Sequence, residues 1–485
     1  MKIRLLFFNI LYLLISTQFY GQEDGLSNSL SIEYGLSSGK YQPFWLRSNQ
    51  YGTIPTKGSF MQVGASYVQA YKNDKKSIQV GYGADVRFLV GTDKSGILIP
   101  ELYAKAKYGI FELWGGIRKQ AWGLVDSTIS SGSFVWSGNS LPIPKVEIIV
   151  PDWVYPNFFN GNVAFKGSYS HGWFENNRED VAHFFLHQKS FYGQLGNKKS
   201  AIKLFGGFTH QVQWGGMLLY PDPNNYSGIN GYIPATFNNY LYVVTGLTLG
   251  NNGANLQTNG LNDAWNRAGN HLGTIDLGAE ITIGKVKILG YRQSYYEDGS
   301  LYYGNNITDG LHGIFIQSKS KSAFRKLVLE YFNSASQGGP LGSNAPQAWQ
   351  RGKDNYFNNS VYNNGWTYRK MSIGNPFMTL DSETDLNPGN KTYFDNNRVE
   401  SFYVATEWNI GDATVLLKGS LANAFGWFGS AYNPVKKMYS FAAFFQKPQV
   451  VLGYKSTLKG KIGYDQSEWY PSVLGIHLGL SMPLY

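Results

Sequence analysis

Apolar and polar residues alternate along most of this chain. Ile78, Val80, Tyr82, Ala84, Val86, Phe88 and Val90 are interleaved with Gln79, Gly81, Gly83, Asp85 and Arg87. Residues two apart on an extended chain share a face, so this period predicts a strand with one apolar side. Its partner runs from Phe60 to Tyr71 and joins it through the polar turn Asn-Asp-Lys-Lys at 73–76. Leu102, Ala104, Ala106 and Tyr108 alternate with Lys105 and Lys107, turn at Gly109 and return through Phe111, Leu113 and Ile117. Ile275, Leu277, Ala279, Ile281 and Ile283 alternate with Asp276, Glu280 and Thr282 before a turn at Gly284-Lys285. Further strands are expected near 163–170, 201–213, 326–332, 399–408, 413–422, 437–446 and 449–464. The chain closes on the same pattern: Leu474, Ile476, Leu478, Leu480, Met482 and Leu484 are separated by Gly475, His477, Gly479, Ser481 and Pro483, and Tyr485 follows out of phase. That leaves Tyr485 on the other face, or a bulge at Pro483.

Short turns on one side alternate with long connections on the other. Residues 214–240, 251–272, 298–312, 334–372 and 379–397 are rich in Asn, Gly, Tyr, Ser and Trp. Such lengths are uncommon inside a soluble domain. They suit the extracellular loops of a transmembrane antiparallel β-barrel, opposite short periplasmic turns. At about 25 residues per strand and connection, the chain makes roughly 16 to 20 strands, an even number in bacterial barrels. In a barrel the last strand must pair with the first, because an open edge in lipid leaves backbone groups unsatisfied. A short alternating terminal strand with an aromatic last residue is also the kind of signal that outer-membrane assembly machinery reads.

Composition sharpens this picture. Aromatic residues make up 16% of the 485 and charged residues only 15%, against roughly a quarter charged in a soluble protein. Mean hydropathy is nonetheless −0.28. No run of about 18 apolar residues follows the N-terminus, which argues against a helical membrane protein. Lys2 and Arg4 precede the apolar stretch from Leu5 to Ser16, the layout of a secretory signal peptide. Cleavage is expected near Gly21-Gln22, leaving one barrel domain over 22–485 in the outer membrane of a Gram-negative cell. There is no cysteine, so neither a lipoprotein anchor nor a disulfide supports the fold. Without Lys2 and Arg4 the chain keeps 40 basic against 32 acidic side chains. A basic lumen or loop surface attracts anions such as acidic glycans and lipopolysaccharide phosphate; nucleic acid is not a plausible partner for a surface barrel.

Three constellations raise the question of chemistry. Gly-Leu-Ser-Ser-Gly at 35–39 fits the G-x-S-x-G spacing, but the nucleophile elbow needs a strand-to-helix turn, and "KYQPFW" follows; a plain turn is the better reading of Ser37 and Ser38. His183 and His187 would share a helix face. On the β-prone stretch around them they lie about 13 Å apart, so a metal site would need other strands. Glu297-Asp298 and Asp395 could serve as the paired carboxylates of a glycoside hydrolase, although nothing fixes their separation. No catalytic residue, metal site or cofactor is assigned.

Several motifs then occur in a fixed order. They are "QAWG" (120–123), "WSGNSLPIP" (136–144), "LHQKSFYGQLG" (186–196), "GGFTHQVQWGG" (206–216), "RAGNHLG" (267–273) and "YRQSYYEDGS" (291–300). "LEYFNSASQGGP" (329–340), "GKDNYFNNSVYNNGWTYRKMSIGNP" (352–376), "NNRVE" (396–400) and "GYDQSEWYPSVLG" (463–475) continue the series. The set resembles the Wzi capsule-assembly family, in its divergent Bacteroidetes branch, over nearly the whole chain after the signal. The resemblance implies a barrel of about 18 strands acting as a non-enzymatic lectin that anchors capsular or exopolysaccharide at the cell surface. Enterobacterial members carry a periplasmic helical bundle plugging the barrel. Here strands begin almost at once, which leaves "YQPFWLRSNQYGTIP" (41–55) as the only place for a plug segment.

The polar and aromatic residues of these motifs are the candidate site: Lys189, His210, Gln213, Trp214, Arg292, Glu297, Asp298, Asp354, Tyr356, Trp366 and Arg398. In one reading Trp214, Tyr356 and Trp366 stack on sugar rings near the outer mouth while Arg292 and Arg398 neutralise acidic sugars. In the other they form a lumen network that rigidifies the barrel or holds inward-folded loops. The expected partners are the polysaccharide, outer-membrane lipid, lipopolysaccharide and the assembly machinery, with the barrel a monomer. A porin or solute channel of similar architecture is the alternative function, and an outer-membrane hydrolase acting on lipid or glycan a further one. The sequence names no glycan and does not say whether the lumen is open.

Overall fold

The computed structural model describes residues 28–71, 77–221, 223–250, 253–297, 303–320, 322–342, 345–347, 350, 352–386, 389 and 391–484. The signal-peptide reading and the turn at 73–76 lie outside them, as do Asp298 and Tyr485.

Eighteen strands follow one another in a single sheet: β1 (Ser29–Ser37), β2 (Phe60–Gln69), β3 (Gln79–Gly91), β4 (Gly96–Tyr108), β5 (Phe111–Ile117), β6 (Lys145–Val154), β7 (Val163–Trp173), β8 (Phe185–Leu195), β9 (Ile202–Trp214), β10 (Asn270–Ile283), β11 (Val286–Glu297), β12 (Gly310–Ser318), β13 (Phe324–Asn333), β14 (Val399–Ile410), β15 (Ala413–Trp427), β16 (Ser430–Val451), β17 (Tyr454–Ser467) and β18 (Val473–Pro483). Each pairs antiparallel with its chain neighbours. β18 pairs with β1 from Ser29↔Pro483 to Ser37↔Gly475, which closes the barrel. The register runs unbroken through Pro483, and Leu484 N–H donates to Asn28 O at 2.7 Å. The bulge allowed for at Pro483 is therefore absent.

Strands 6, 11 and 12 were not among the expected segments, and β8 was read only as a β-prone stretch; their outward rows are shorter or broken by polar residues. The strand expected over 449–464 is split by the tight turn Leu452-Gly453. At the expected turns, Gly109 and Gly284 have φ of 60° and 57°, a region that glycine occupies without steric cost. Both ends of the described chain lie at the end carrying these turns, which places that end in the periplasm.

Outside, the apolar rows form a belt around the closed wall. Val80 is 62% exposed, Leu277 59% and Leu478 63%. A belt of this kind is stable only against hydrocarbon. Tyr108, Trp408 and Tyr454 sit in it beside the periplasmic turns, where interfacial aromatics are expected.

Inside, the outer half of the lumen is filled. Three connections fold inward: 38–59, 118–144 and 334–398. The first carries the short helix α1 (Phe44–Arg47), every residue of which is buried. Trp45 Nε1 donates to Ser420 Oγ of β15 at 2.9 Å, and Phe44 N–H to Asp465 Oδ2 of β17 at 2.7 Å. Segment 41–55, the one place the sequence left for a plug, is plug. It is not the only plug segment: 334–372 and 379–397, expected as extracellular loops, pack with 118–144 on top of it. Phe377 stacks on Phe44 at 5.3 Å, and Asn375 N–H donates to Phe134 O at 2.9 Å. Their backbone groups are satisfied by each other and by the wall, so a polar loop composition is compatible with burial.

Deleting Leu478–Tyr485 removes the pairing from Tyr34↔Leu478 to Ser29↔Pro483 and opens two strand edges in lipid. The truncated chain is expected to lose the heat-modifiable gel mobility of a folded barrel and to be degraded before membrane insertion. Normal membrane levels with the mobility shift retained would contradict closure as the source of stability.

Candidate functional site

The candidate residues fall into separate places. Gln213, Glu297, Tyr356 and Trp366 are in the plug and its wall contacts. Gln213 faces the lumen, fully buried, and donates to Gly365 O at 3.1 Å while accepting from Asn270 at 3.0 Å. Glu297 accepts from Tyr295 OH at 3.1 Å and Phe357 N–H at 3.2 Å. Tyr356 OH donates to Asp309 Oδ2 at 2.8 Å, and Trp366 Nε1 to Val135 O at 2.8 Å. Asp354 is half-buried in the same connection, its N–H donating to Gln337 O at 3.0 Å. Arg398 donates to Ala335 O at 2.9 Å, with its guanidinium 4.0 Å from the Phe428 ring centroid.

Lys189, His210, Trp214 and Arg292 point out of the barrel instead. Trp214 lies one residue beyond Gln213, so it takes the opposite face. It is buried under the helix α2 (Phe237–Thr245), 5.2 Å from Tyr240 and 5.3 Å from Phe185 between ring centroids. Arg292 Nε donates to Ser294 Oγ at 2.9 Å and its Nη2 to Ile307 O.

The other constellations do not assemble. Ser37 Oγ donates to Tyr41 O, a turn contact. His183 lies outside β8 with φ 55°, while His187 is on the strand, facing outward. Glu297 and Asp395 accept from different segments; Asp395 bonds the backbone N–H of Thr392 at 2.7 Å. Among the described residues no group of three or more His, Asp or Glu is placed to hold a metal ion.

Sequence reasoning missed the groups that tie the plug to the wall. Glu330 of β13 is buried and accepts from Ser130 Oγ at 2.6 Å, Ser131 N–H at 2.7 Å and Tyr291 OH. Gln293 accepts from Phe134 N–H at 3.0 Å. Phe134 itself lies 4.4 Å from Tyr295 and 4.9 Å from Phe332. Lys418 of β15 faces Trp45 and Phe444, 5.5 Å from each ring. An inward-facing acid among apolar neighbours, as at Glu330, was the one available signal.

Two of the pockets among the described residues lie at opposite ends of the plug. The inner one, of ≈ 390 Å³, lies beneath Gln50, Thr53 and Ile54 and is walled by Arg87, Lys418, Lys459 and Lys461 against Glu33 and Glu407. Lys461 pairs with Glu33 at 2.6 Å; Lys418 and Lys459 make no ion pair among the described residues. The outer one, of ≈ 740 Å³, is formed by the connections at the opposite end, with Lys94, Arg178, Arg369 and Lys370 against Glu175.

A closed wall, a lipid-facing belt and a filled lumen define an outer-membrane β-barrel protein. No protein-family model matches the sequence, and no curated protein matches it. Among solved structures, OccK5 (OpdH) of Pseudomonas aeruginosa is similar over 94% of this chain and 98% of its own, at 10% identity and a TM-score of 0.45. OccK3 (OpdO) of the same organism is similar over 99% of both chains at 9% identity and a TM-score of 0.44. OccD3 (OpdP) covers 96% of this chain and 92% of its own at 10% identity, with a TM-score of 0.38. At such values these likenesses add nothing to what the closed strand ladder itself shows.

The lectin expectation is corrected at this point. It required open ring faces at the outer mouth. Tyr356 and Trp366 are fully buried in the plug, and Trp214 is 5% exposed beneath a helix on the outer wall. None of the three offers a face to a sugar, and they do not share a surface.

Asp309 is expected to make the plug pH-dependent. Its carboxylate accepts from Tyr356 OH, Gln337 N–H and Ser336 N–H, yet burial pushes its pKa up to about 6. Burial raises Asp395 in the same direction, also to about 6. A carboxyl raised on folding binds its proton more tightly in the folded state, so stability is full below pH ~4 and is lost as pH rises through about 6. The loss at Asp309 is at most ~3 kcal/mol. Amides of 334–342 are expected to exchange faster at pH 7 than at pH 5, after correction for intrinsic rates. Asp309→Asn should flatten most of that difference, and an unchanged slope in the variant would assign it elsewhere.

Proposed function

We propose that the chain is an outer-membrane solute channel that favours small anions, with the inward-folded connections as its gate. The basic inner cavity carries this reading. Arg87, Lys418, Lys459 and Lys461 outnumber Glu33 and Glu407 around it, and Lys418 and Lys459 make no ion pair among the described residues, inside a low-dielectric wall that strengthens their attraction for anions. The basic outer pocket supplies a matching entrance on the other side of the plug. No bond-making step is needed, and one barrel suffices. The ordered motifs that resemble the capsule-assembly family are retained as a proposal of kinship, without its polysaccharide.

Current through planar bilayers tests the reading. The purified barrel is expected to conduct weakly, with a reversal potential favouring anions under a salt gradient. Lys418→Glu combined with Lys459→Glu should move that potential towards cations. Phe134→Ala removes the ring that packs on Tyr295 and Phe332, a change that costs ~3–5 kcal/mol in a packed core; it should loosen the plug and raise mean conductance. Silence from both the parent and Phe134→Ala, with heat-modifiable folding intact, would overturn the channel.

A further inference from the structure

The outer wall carries a second polar feature that transport does not use. Helix α2 lies against β7 to β10. Val243 and Leu249 pack over Val212 and Trp214, and Tyr240 OH bonds Tyr169 OH at 2.7 Å. Its other side turns apolar residues outward: Phe237 is 77% exposed and Leu241 is exposed, as is Leu247 just past the helix end. Above the apolar belt, such a helix sits in the lipid interface, apolar side in the acyl boundary.

At the C-terminal end of α2 is a pocket of ≈ 250 Å³ lined by Lys189, Phe208, His210, Arg267, His271 and Tyr296. Lys189 Nζ donates to Val244 O, and Arg267 Nε to Gly246 O at 2.8 Å. These bonds cap the helix and use one donor each; a lysine has three and an arginine five. Neither cation is paired with an acid among the described residues.

The histidines add an acceptor. His271 Nε2 lies 3.0 Å from Ala268 O, which can only accept, so Nε2 carries the proton. His271 Nδ1 is then an acceptor, and His210 Nε2 donates to it at 3.0 Å. This chain leaves His210 Nδ1 as a bare acceptor. It is buried, in a side chain 7% exposed, and it has no partner. The pocket therefore offers cationic donors and one acceptor side by side. Towards the periplasm the wall continues as Phe208, Phe191, Ile275 and Leu277, all exposed and apolar.

We propose that this pocket binds the phosphorylated headgroup of an outer-leaflet lipid. The phosphate meets Lys189 and Arg267, a headgroup or phosphate hydroxyl donates to His210 Nδ1, and the acyl chains run along Phe208, Phe191 and Ile275. A free phosphate ion would satisfy the cations equally well and leave the apolar row unused.

The test uses the full-length folded barrel in phosphatidylcholine nanodiscs doped with diphosphoryl lipid A, or with the same lipid A stripped of phosphate. Lipid retained through purification is counted by native mass spectrometry. Retention of the phosphorylated form is expected to exceed the stripped form, and Lys189→Gln and Arg267→Gln should each lower it about fivefold. Helix capping alone would reduce the stability of α2 without separating the two lipids. Equal retention of both lipids, or unchanged retention in the folded variants, overturns the proposal. So does full displacement by millimolar inorganic phosphate, which would mark a free-ion site. Should a variant lose heat-modifiable mobility, the two-lipid comparison on the parent protein still decides.

Discussion

Every backbone N–H and C=O at membrane depth must find its partner within the protein. That one constraint produces the rest of this structure. It forces β18 onto β1, and the register from Ser29↔Pro483 to Ser37↔Gly475 meets it with a full ladder. Closure in turn makes each strand two-faced. His477 shows the consequence: with Ile476 and Leu478 in lipid, its ring points inward and meets Gln42 at 2.9 Å and Glu33 at 3.2 Å. A wall of 18 strands encloses more space than its own side chains fill. The three inward connections occupy the outer half of it.

The strands were legible because their signal is local. Alternation such as Val80 to Val90 or Ile275 to Ile283 needs no knowledge of partners. The plug was legible only at 41–55. A loop folded into a polar lumen and a loop standing in water draw on the same residues, Asn, Gly, Ser, Tyr and Trp. What separates them is contact between distant segments, as where Ser130 and Ser131 meet Glu330 or Asn375 meets Gly132 O at 2.6 Å. No period in the sequence records such a pairing.

The candidate site was legible as a set of residues and not as a place. Its members share motifs but divide between two faces of one wall, and a single residue decides which. Gln213 is in the lumen and Trp214 outside; Gln188 is inside and Lys189 outside. A shift of one in strand phase reverses all of these. Polar residues on the outward face, such as His210 and His271, also break the expected apolar row, because they lie at the end of a helix rather than against hydrocarbon.

The same rule of satisfaction limits how the plug can move. Glu330 holds three donors, and withdrawing Ser130 and Ser131 would leave a buried carboxylate short of partners, at several kcal/mol. Wholesale ejection of the plug is therefore costly. Smaller displacements break fewer contacts. Trp45 is held to the wall by its indole bond to Ser420 and by the Tyr403 ring at 4.6 Å, and Lys418 lies 5.5 Å from its ring rather than in an ion pair. An anion reaching Lys418 from the inner cavity would replace a ring face with a full charge, the stronger partner for an ammonium. If the cavity takes anions as proposed, the contact between Trp45 and Lys418 is where its occupancy and the position of the plug would be coupled.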